Sequence, residues 1–240
     1  MKTFSITDTG VARETNQDYF FATDTNLGNL PNLFIVADGM GGHKAGDYAS
    51  RHTIERTVAS ISRNSNDEPV TIIQEAISKA NELLVAESNE DETKSGMGTT
   101  LVIATLIGNK LIVANVGDSR LYVIGNTVHQ ITRDHSLVEE MVRLGEIDPS
   151  EARLHPDKNI ITRAIGAQKN VKADFFEVEL AKDDYVIMCT DGLTNMVKDE
   201  EILDIVRINK EPEAIAEKLV KLANDNGGRD NITVTIIKPF

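Results

Sequence analysis

Four aspartates stand where an apolar run meets a turn: Asp38 in FIVADG, Asp118 in ANVGDSR, Asp191 in IMCTDG and Asp230 in GGRDNITVTII. A fifth, Asp18 in ETNQDYF, opens another apolar run. A carboxylate beside a dry strand loses its hydration and needs a neutraliser, either a salt bridge or a metal. Taken singly, Asp38-Gly39 and Asp191-Gly192 are also ordinary turn dipeptides. Recurrence of the pattern along the chain favours a metal, because folding can bring several such carboxylates to one edge. The donors are oxygens, with a single cysteine and five histidines in the chain, which suits a hard cation such as Mg²⁺ or Mn²⁺. Glycine directly after Asp38 and Asp191 would leave room for a cation and its waters and would free a backbone carbonyl as a ligand. Two cations sharing a carboxylate can hold a bridging water, lower its pKa and present hydroxide as a nucleophile. Arg13, in ARETNQD, offers a forked donor for a phosphate. These parts fit phosphate-ester hydrolysis.

The neighbouring residues extend this chemistry or stay outside it. His43 follows Asp38 by five residues; it can protonate a leaving alkoxide or simply face solvent at a helix start. His135, in TRDHS, adjoins a helix cap and reads as structural, whereas His52, His129 and His155 read as surface or helix residues. Arg120 and Arg163 either make structural ion pairs or reach the acidic site. Cys189 lies in an apolar run just before Thr190-Asp191 and reads as an inert buried thiol, so a cysteine-nucleophile phosphatase has no support. The loop GMGGHKAG lacks the Gly-Lys-Ser/Thr ending of a P-loop, and Lys44 occupies the last glycine position of a G-x-G-x-x-G pattern.

The elements that must position these residues follow from periodicity. LVIATLI (101–107), LIVANV (111–116) and YVIMCT (185–190) are near-continuous apolar runs, the pattern of strands covered on both faces. LYVIGNTVHQI (121–131) carries Gly125-Asn126 between two strand-like runs and predicts a hairpin. From Pro69, the residues Ile73, Ala76, Ile77, Ala80 and Leu84 share one helical stripe. A later helix in EPEAIAEKLVKLANDNGG places Ile215, Leu219, Leu222 and Ala223 on one face and ends at Gly227-Gly228. The stretch after His43, to about Arg63, predicts a third helix. Between Ser136 and Arg163 the chain turns charged. Ser136 and Glu139 form a capping-box pattern, Gly145 can end that helix, and Asp148-Pro149-Ser150 can begin another. Strand runs separated from a few long helices predict an α+β fold, antiparallel sheets with helices on their outer faces.

At 240 residues and 40% hydrophobic, the chain can build a substantial core; with no internal repeat and no Pro-rich or Ser/Gly-rich linker it reads as one domain, 1–240. No apolar stretch approaches the roughly 18 residues of a membrane span, and the first residues lack a signal-peptide layout. With one cysteine excluding an internal disulfide, the expected location is the cytoplasm. A formal charge of −13 opposes binding to nucleic acid or to an anionic membrane.

The ordered series RETNQD (13–18), VADGMGGH (36–43), GTT (98–100), NVGDSR (115–120), TRDHS (132–136), TRAIG (162–166), CTDGL (189–193) and GGRDNIT (227–233) resembles the metal-dependent protein phosphatases of the PPM, or type 2C, family, and in particular its compact bacterial members. The resemblance runs nearly end to end with no departure at a metal position. It implies a central β-sandwich of two antiparallel β-sheets flanked by α-helices, a four-layer αββα arrangement, with a binuclear Mg²⁺/Mn²⁺ centre at one edge. Asp38 would bridge the two metals, Gly39 would ligate through its carbonyl, Asp191 and Asp230 would complete the first site, and Asp18 would hold the second mainly through water. Asp118, with Asp191, matches a third metal site. Arg13 would bind the substrate phosphate and His43 would act as general acid. The charged stretch at about 137–161 matches the family's small helical flap. The implied activity is hydrolysis of phosphoserine and phosphothreonine on proteins, with serine/threonine kinases and their targets as partners and a monomer as the expected state. Three rivals have their own signatures. A binding protein of the same fold predicts missing ligands, and a calcium module predicts ligands clustered in one local loop. A phosphatase for a specialised regulator or small phosphoester is separated only by its substrates.

Overall fold

A computed structural model describes residues 1–42 and 45–240. In chain order it contains β1 (Lys2–Asp8), β2 (Asp18–Thr23), β3 (Leu33–Met40), α1 (Ala45–Arg63), α2 (Pro69–Glu90), β4 (Gly98–Thr99), β5 (Leu101–Ile107), β6 (Lys110–Val116), β7 (Arg120–Ile124), β8 (Val128–Gln130), α3 (Leu137–Leu144), α4 (Pro149–Ala152), β9 (Asp174–Glu179), β10 (Tyr185–Cys189), α5 (Asp191–Thr194), α6 (Asp199–Ile208), α7 (Pro212–Asp225) and β11 (Ile232–Lys238). Two sheets form, one in the order β1-β11-β10-β7-β8 and the other in the order β2-β3-β5-β6-β9, with β4 paired to β3. Every strand pairing is antiparallel.

Alternation along the strands explains the layers. On β3, Leu33, Ile35 and Ala37 join one core with Ile54 and Ile61 of α1 and Ile73, Ile77 and Leu84 of α2. Phe34 and Val36 point the other way, into a core shared with Val186 and Met188 of β10 and Ile237 of β11. Ile187, Cys189, Val234 and Ile236, on the opposite face of that second sheet, pack against Ile215 and Leu219 of α7. Three apolar interfaces therefore separate four layers, helices, sheet, sheet, helices, as the αββα expectation has it. A strand buried on both faces needs no polar alternation, which is why the runs at 101–107 and 111–116 read as continuous.

Local signals place the helices. Glu68 caps α2 by accepting from the Thr71 N–H at 2.6 Å, with Pro69 in the first turn. Ser136 accepts from the Glu139 N–H, and Gly145, in a left-handed conformation (φ 74°), ends α3. The full reciprocal capping box is made one helix later, by Asp148 and Glu151 of α4. Two details differ from the expected pattern. Leu222 is only partly buried, and Ala216 and Val220 fill the buried face of α7. Also outside the expected helices is α6, which buries Ile202 and Val206 and packs the partly buried Leu203 and Ile205 against the same core.

Candidate metal and phosphate site

Antiparallel pairing gathers the acidic residues, since the end of one strand lies beside the start of its neighbour. Asp18 opens β2 and pairs in register with Asp38 near the end of β3, so two carboxylates stand directly opposite each other on one face. Like charges at such a position repel. Asp191 follows β10 and Asp230 precedes β11, strands that are themselves paired, in the other sheet. Asp118 sits in the connection from β6 to β7, where the chain crosses between sheets. All five thus collect at one edge of the sandwich. Arg13, Asp38, Gly39, Asp118, Asp191 and Asp230 line one cavity of about 270 Å³, together with Asn159 and Ile161.

Asp38-Gly39 is not a turn. β3 continues through Gly39 and Met40, which pair with Thr99 and Gly98. A Cβ at position 39 would lie 2.0 Å from the Gly46 carbonyl oxygen and 2.6 Å from that of Gln17. Asp191-Gly192 likewise opens α5 instead of turning, and a Cβ at position 192 would meet the Asn231 carbonyl at 1.9 Å. These glycines let backbones close around the carboxylates; the space expected beside them is filled by chain.

Hydrogen bonds hold the carboxylates of Asp18, Asp191 and Asp230 and the backbone at Asp38, and they leave several oxygens bare. Thr190 and Thr233, from the second sheet, donate their hydroxyls to Asp18 Oδ2 at 2.8 and 2.7 Å. Asn195 Nδ2 donates to Asp191 Oδ2 at 2.9 Å. The Asp38 N–H donates to Thr100 Oγ1, which also bonds the Ser119 hydroxyl next to Asp118. Oδ1 of Asp18, of Asp118 and of Asp191 is buried with no hydrogen-bond partner. Arg13 Nη2 donates to Asp230 Oδ2 at 2.8 Å, while half of the arginine side chain stays exposed toward the cavity.

The electrostatics follow from burial and crowding. Burial, and then the charges of Asp18, Asp191, Asp118 and Asp230, lift Asp38 well above the usual carboxylate range. Burial pushes Asp18 up to about 7 against the Thr233 and Thr190 hydrogen bonds, and burial with Asp191 and Asp134 pushes Asp118 up to about 8. Asp191 is raised by burial and then by Asp230, with Asn195 among the groups opposing. Unpaired buried oxygens that repel one another are what a cation relieves. Among the described residues no three carboxylate, histidine or cysteine groups converge into a preformed cage. Hard cations that keep several waters need only one or two protein carboxylates each, so the bare oxygens and this donor set fit Mg²⁺ or Mn²⁺.

Other expected residues fall into place beside the site. His43 and Lys44 lie outside the described residues. Arg120 makes a bidentate pair with Asp134 and bonds Tyr122 Oη, and Arg163 pairs with Asp174 at 2.7 Å, so both are structural. His135 Nδ1 accepts from the Gly117 N–H at 2.9 Å and Nε2 faces Asp174 Oδ2 at 3.1 Å, which places its proton on Nε2. Cys189 is fully buried, and burial pushes its thiol well up.

Asn231 escapes a reading by charge alone. Its Nδ2 donates to the carbonyls of Thr9 and Thr15 at 2.9 Å each, and its Oδ1 accepts from the Gln17 N–H at 2.8 Å. Gly228 O accepts from the Val11 and Ala12 N–H groups. Together they pin the loop that carries Arg13 to the segment that carries Asp230. The one local signal was adjacency to Asp230.

Comparison with known proteins agrees with this geometry. Residues 8–232 match the family model described as protein phosphatase 2C. The chain belongs to the protein phosphatase 2C family. It is accordingly a phosphoprotein phosphatase. It is 40% identical over 240 residues to the serine/threonine phosphatase stp of Listeria welshimeri, covering 97% of this chain and 93% of that one. The crystal structure of serine/threonine phosphatase Stp1 from Staphylococcus aureus matches at 36% identity and a TM-score of 0.91, over 98% of this chain and 93% of the other. The catalytic domain of serine threonine protein phosphatase PstP, solved in complex with two manganese ions, matches at 31% identity and a TM-score of 0.86, over 98% and 96%. The phosphatase is thus similar over nearly its whole length to enzymes of bacterial origin.

Proposed function

We propose that this phosphatase hydrolyses phosphoserine and phosphothreonine on proteins, with two divalent cations, Mg²⁺ or Mn²⁺, at the acidic edge and a third beside Asp118. The observation that carries the reading is the set of bare buried oxygens of Asp118 and Asp191, which line a cavity that also presents Arg13, and of Asp18, paired in register with the cavity-lining Asp38. Asp38, the Gly39 carbonyl, Asp191 and Asp230 would hold the first cation, Asp38 and Asp18 the second, and Asp118 with Asp191 the third. Cations bound there would supply a water nucleophile of lowered pKa and positive charge for the phosphoryl oxygens. Arg13 grips the substrate phosphate through its fork, oriented by Asp230. Asn231 keeps the Arg13 loop in register with that carboxylate. His43 gives a proton to the leaving serine or threonine oxygen. The enzyme opposes serine/threonine kinases in the cytoplasm of a bacterial cell.

Phosphate release from a phosphothreonine peptide, measured with Mn²⁺, with Mg²⁺ and with chelator, tests the reading. Release should require a divalent ion, and folded Asp191→Ala should lose more than about a hundredfold. Near-normal turnover by that variant, or metal-independent release, would sink the metal assignment.

A further inference from the structure

On the Arg13 side of the acidic cavity lies a second, smaller one of about 170 Å³. The two share Arg13, Asn159 and Asp230, so they adjoin. Three cations border the smaller cavity: Arg13, Lys158 and Arg229. Asp230, its one carboxylate, is already engaged by Arg13 and by the Asn231 N–H at 2.9 Å. Lys158 Nζ donates to the neutral Asn195 Oδ1 at 2.9 Å. Among the described residues neither Lys158 nor Arg229 has a carboxylate within ion-pair distance, whereas Arg51, Arg56, Arg120, Arg143 and Arg163 all do. Lys158 feels the charge of Asp191 without pairing with it, and in a chain with 38 acidic and 25 basic residues three cations around one lining carboxylate are a local reversal of sign. Arg229 is exposed and borders the cavity together with Met196.

We infer that this cavity is a subsite for an anionic group on the phosphoprotein substrate, one or two residues from the phosphate being removed. The inference rests on the phosphatase reading above, which puts the scissile phosphate on Arg13. At about 3.3 Å of extended chain per residue, a flanking side chain reaches the adjoining cavity without a bend in the peptide. The guanidinium fork of Arg229 and the ammonium of Lys158 match a carboxylate or a second phosphate. The local cations also counter the repulsion that a net charge of −13 exerts on any acidic segment. The subsite therefore selects acidic or multiply phosphorylated segments over neutral ones.

Phosphothreonine peptides with alanine, with glutamate, with a second phosphothreonine or with lysine at the flanking positions, on either side, distinguish the sources of the anion. Wild-type enzyme in Mn²⁺ should show kcat/KM about twofold to fivefold higher for the glutamate or doubly phosphorylated peptide than for the alanine peptide. The gain should shrink as salt rises. Arg229→Gln should bring that ratio close to one, and Arg229→Glu should reverse it in favour of the lysine peptide. Circular dichroism of both variants controls for folding. Equal rates on acidic and neutral peptides, or a ratio that Arg229→Gln and Arg229→Glu leave unchanged, overturn the subsite while the phosphatase stands. No release from any peptide by folded, Mn²⁺-loaded enzyme overturns the phosphatase reading and the subsite with it. A gain for the second phosphate alone assigns the cavity to phosphate, and a gain for both assigns it to anionic side chains in general.

Discussion

Single residues here act through what they accept and what they leave bare. Asn231 lines the acidic cavity and joins three backbone groups of the Arg13 loop to the start of β11. Replacing it with alanine should free that loop and raise KM for a phosphopeptide, lowering kcat/KM by about tenfold to a hundredfold. The Mn²⁺ affinity measured by calorimetry should change little. Weakened Mn²⁺ binding with an unchanged KM would reassign Asn231 to the metal site. His135 offers a test by pH. Burial, with the charge of Arg163, lowers its pKa from the ordinary 6.5 against the pull of Asp174, and its Nδ1 accepts from the Gly117 N–H. A group depressed in this way contributes stability that is present above the unfolded value and lost as the pH falls through the folded one. Thermal unfolding of the wild type should therefore lose more stability than His135→Asn between about pH 7.5 and pH 5.5. Parallel curves for the two proteins would show that the histidine is not held neutral.

At the scale of elements, the two ways of burying chain carry different penalties. Ile77 lies fully buried in the α2 stripe against the first sheet, so Ile77→Ala should cost about 2–5 kcal/mol through a cavity that neighbours only partly fill. Gly39→Ala adds a single methyl where β3 meets the backbone of Gly46 and Gln17. Its cost should be at least about 1–3 kcal/mol, from overpacking, and it should also displace Asp38. Chemical denaturation gives both values, and phosphate release separates them: Ile77→Ala should keep its turnover where it stays folded, whereas Gly39→Ala should not. A stable, fully active Gly39→Ala enzyme would show that the close approach in β3 is not required. The same contrast explains how each was read. A helical stripe is a local pattern of one residue type, but the close approach at Gly39 depends on the start of α1, seven residues on, and on Gln17.

Over the whole molecule, the acidic edge is where the two sheets meet. Asp18 and Asp38 belong to one sheet, Asp191 and Asp230 flank strands of the other, and the Thr190 and Thr233 hydroxyls tie Asp18 across. Cations bound between them should hold the sheets together as well as serve the chemistry. At a hundredfold excess over Kd, one cation adds about 2.7 kcal/mol to stability, which corresponds to roughly 5–10 °C in Tm for a domain of this size. Differential scanning with Mn²⁺, with Mg²⁺ and with chelator checks it. An unchanged Tm, in protein shown by dialysis to bind Mn²⁺, would mean that the unfolded chain binds the cation as well as the folded one does, and that the acidic edge gains no stability from it.

The strands, the long helices and the five aspartates were legible in the amino-acid sequence because each is a short-range pattern: an apolar run, a 3.6-residue stripe, a charge at the end of a run. The ordered motifs also pointed to the family. Tertiary structure alone decided which polar residues support the site. Thr190 and Thr233 reach Asp18 from 172 and 215 residues away, and Asn231 reaches Thr9 from a separation of 222. Arg229 and Lys158 meet Arg13 at one cavity only after the sheets have packed. No local spacing encodes such contacts, because they arise where antiparallel pairing and sheet stacking return distant segments to the same edge.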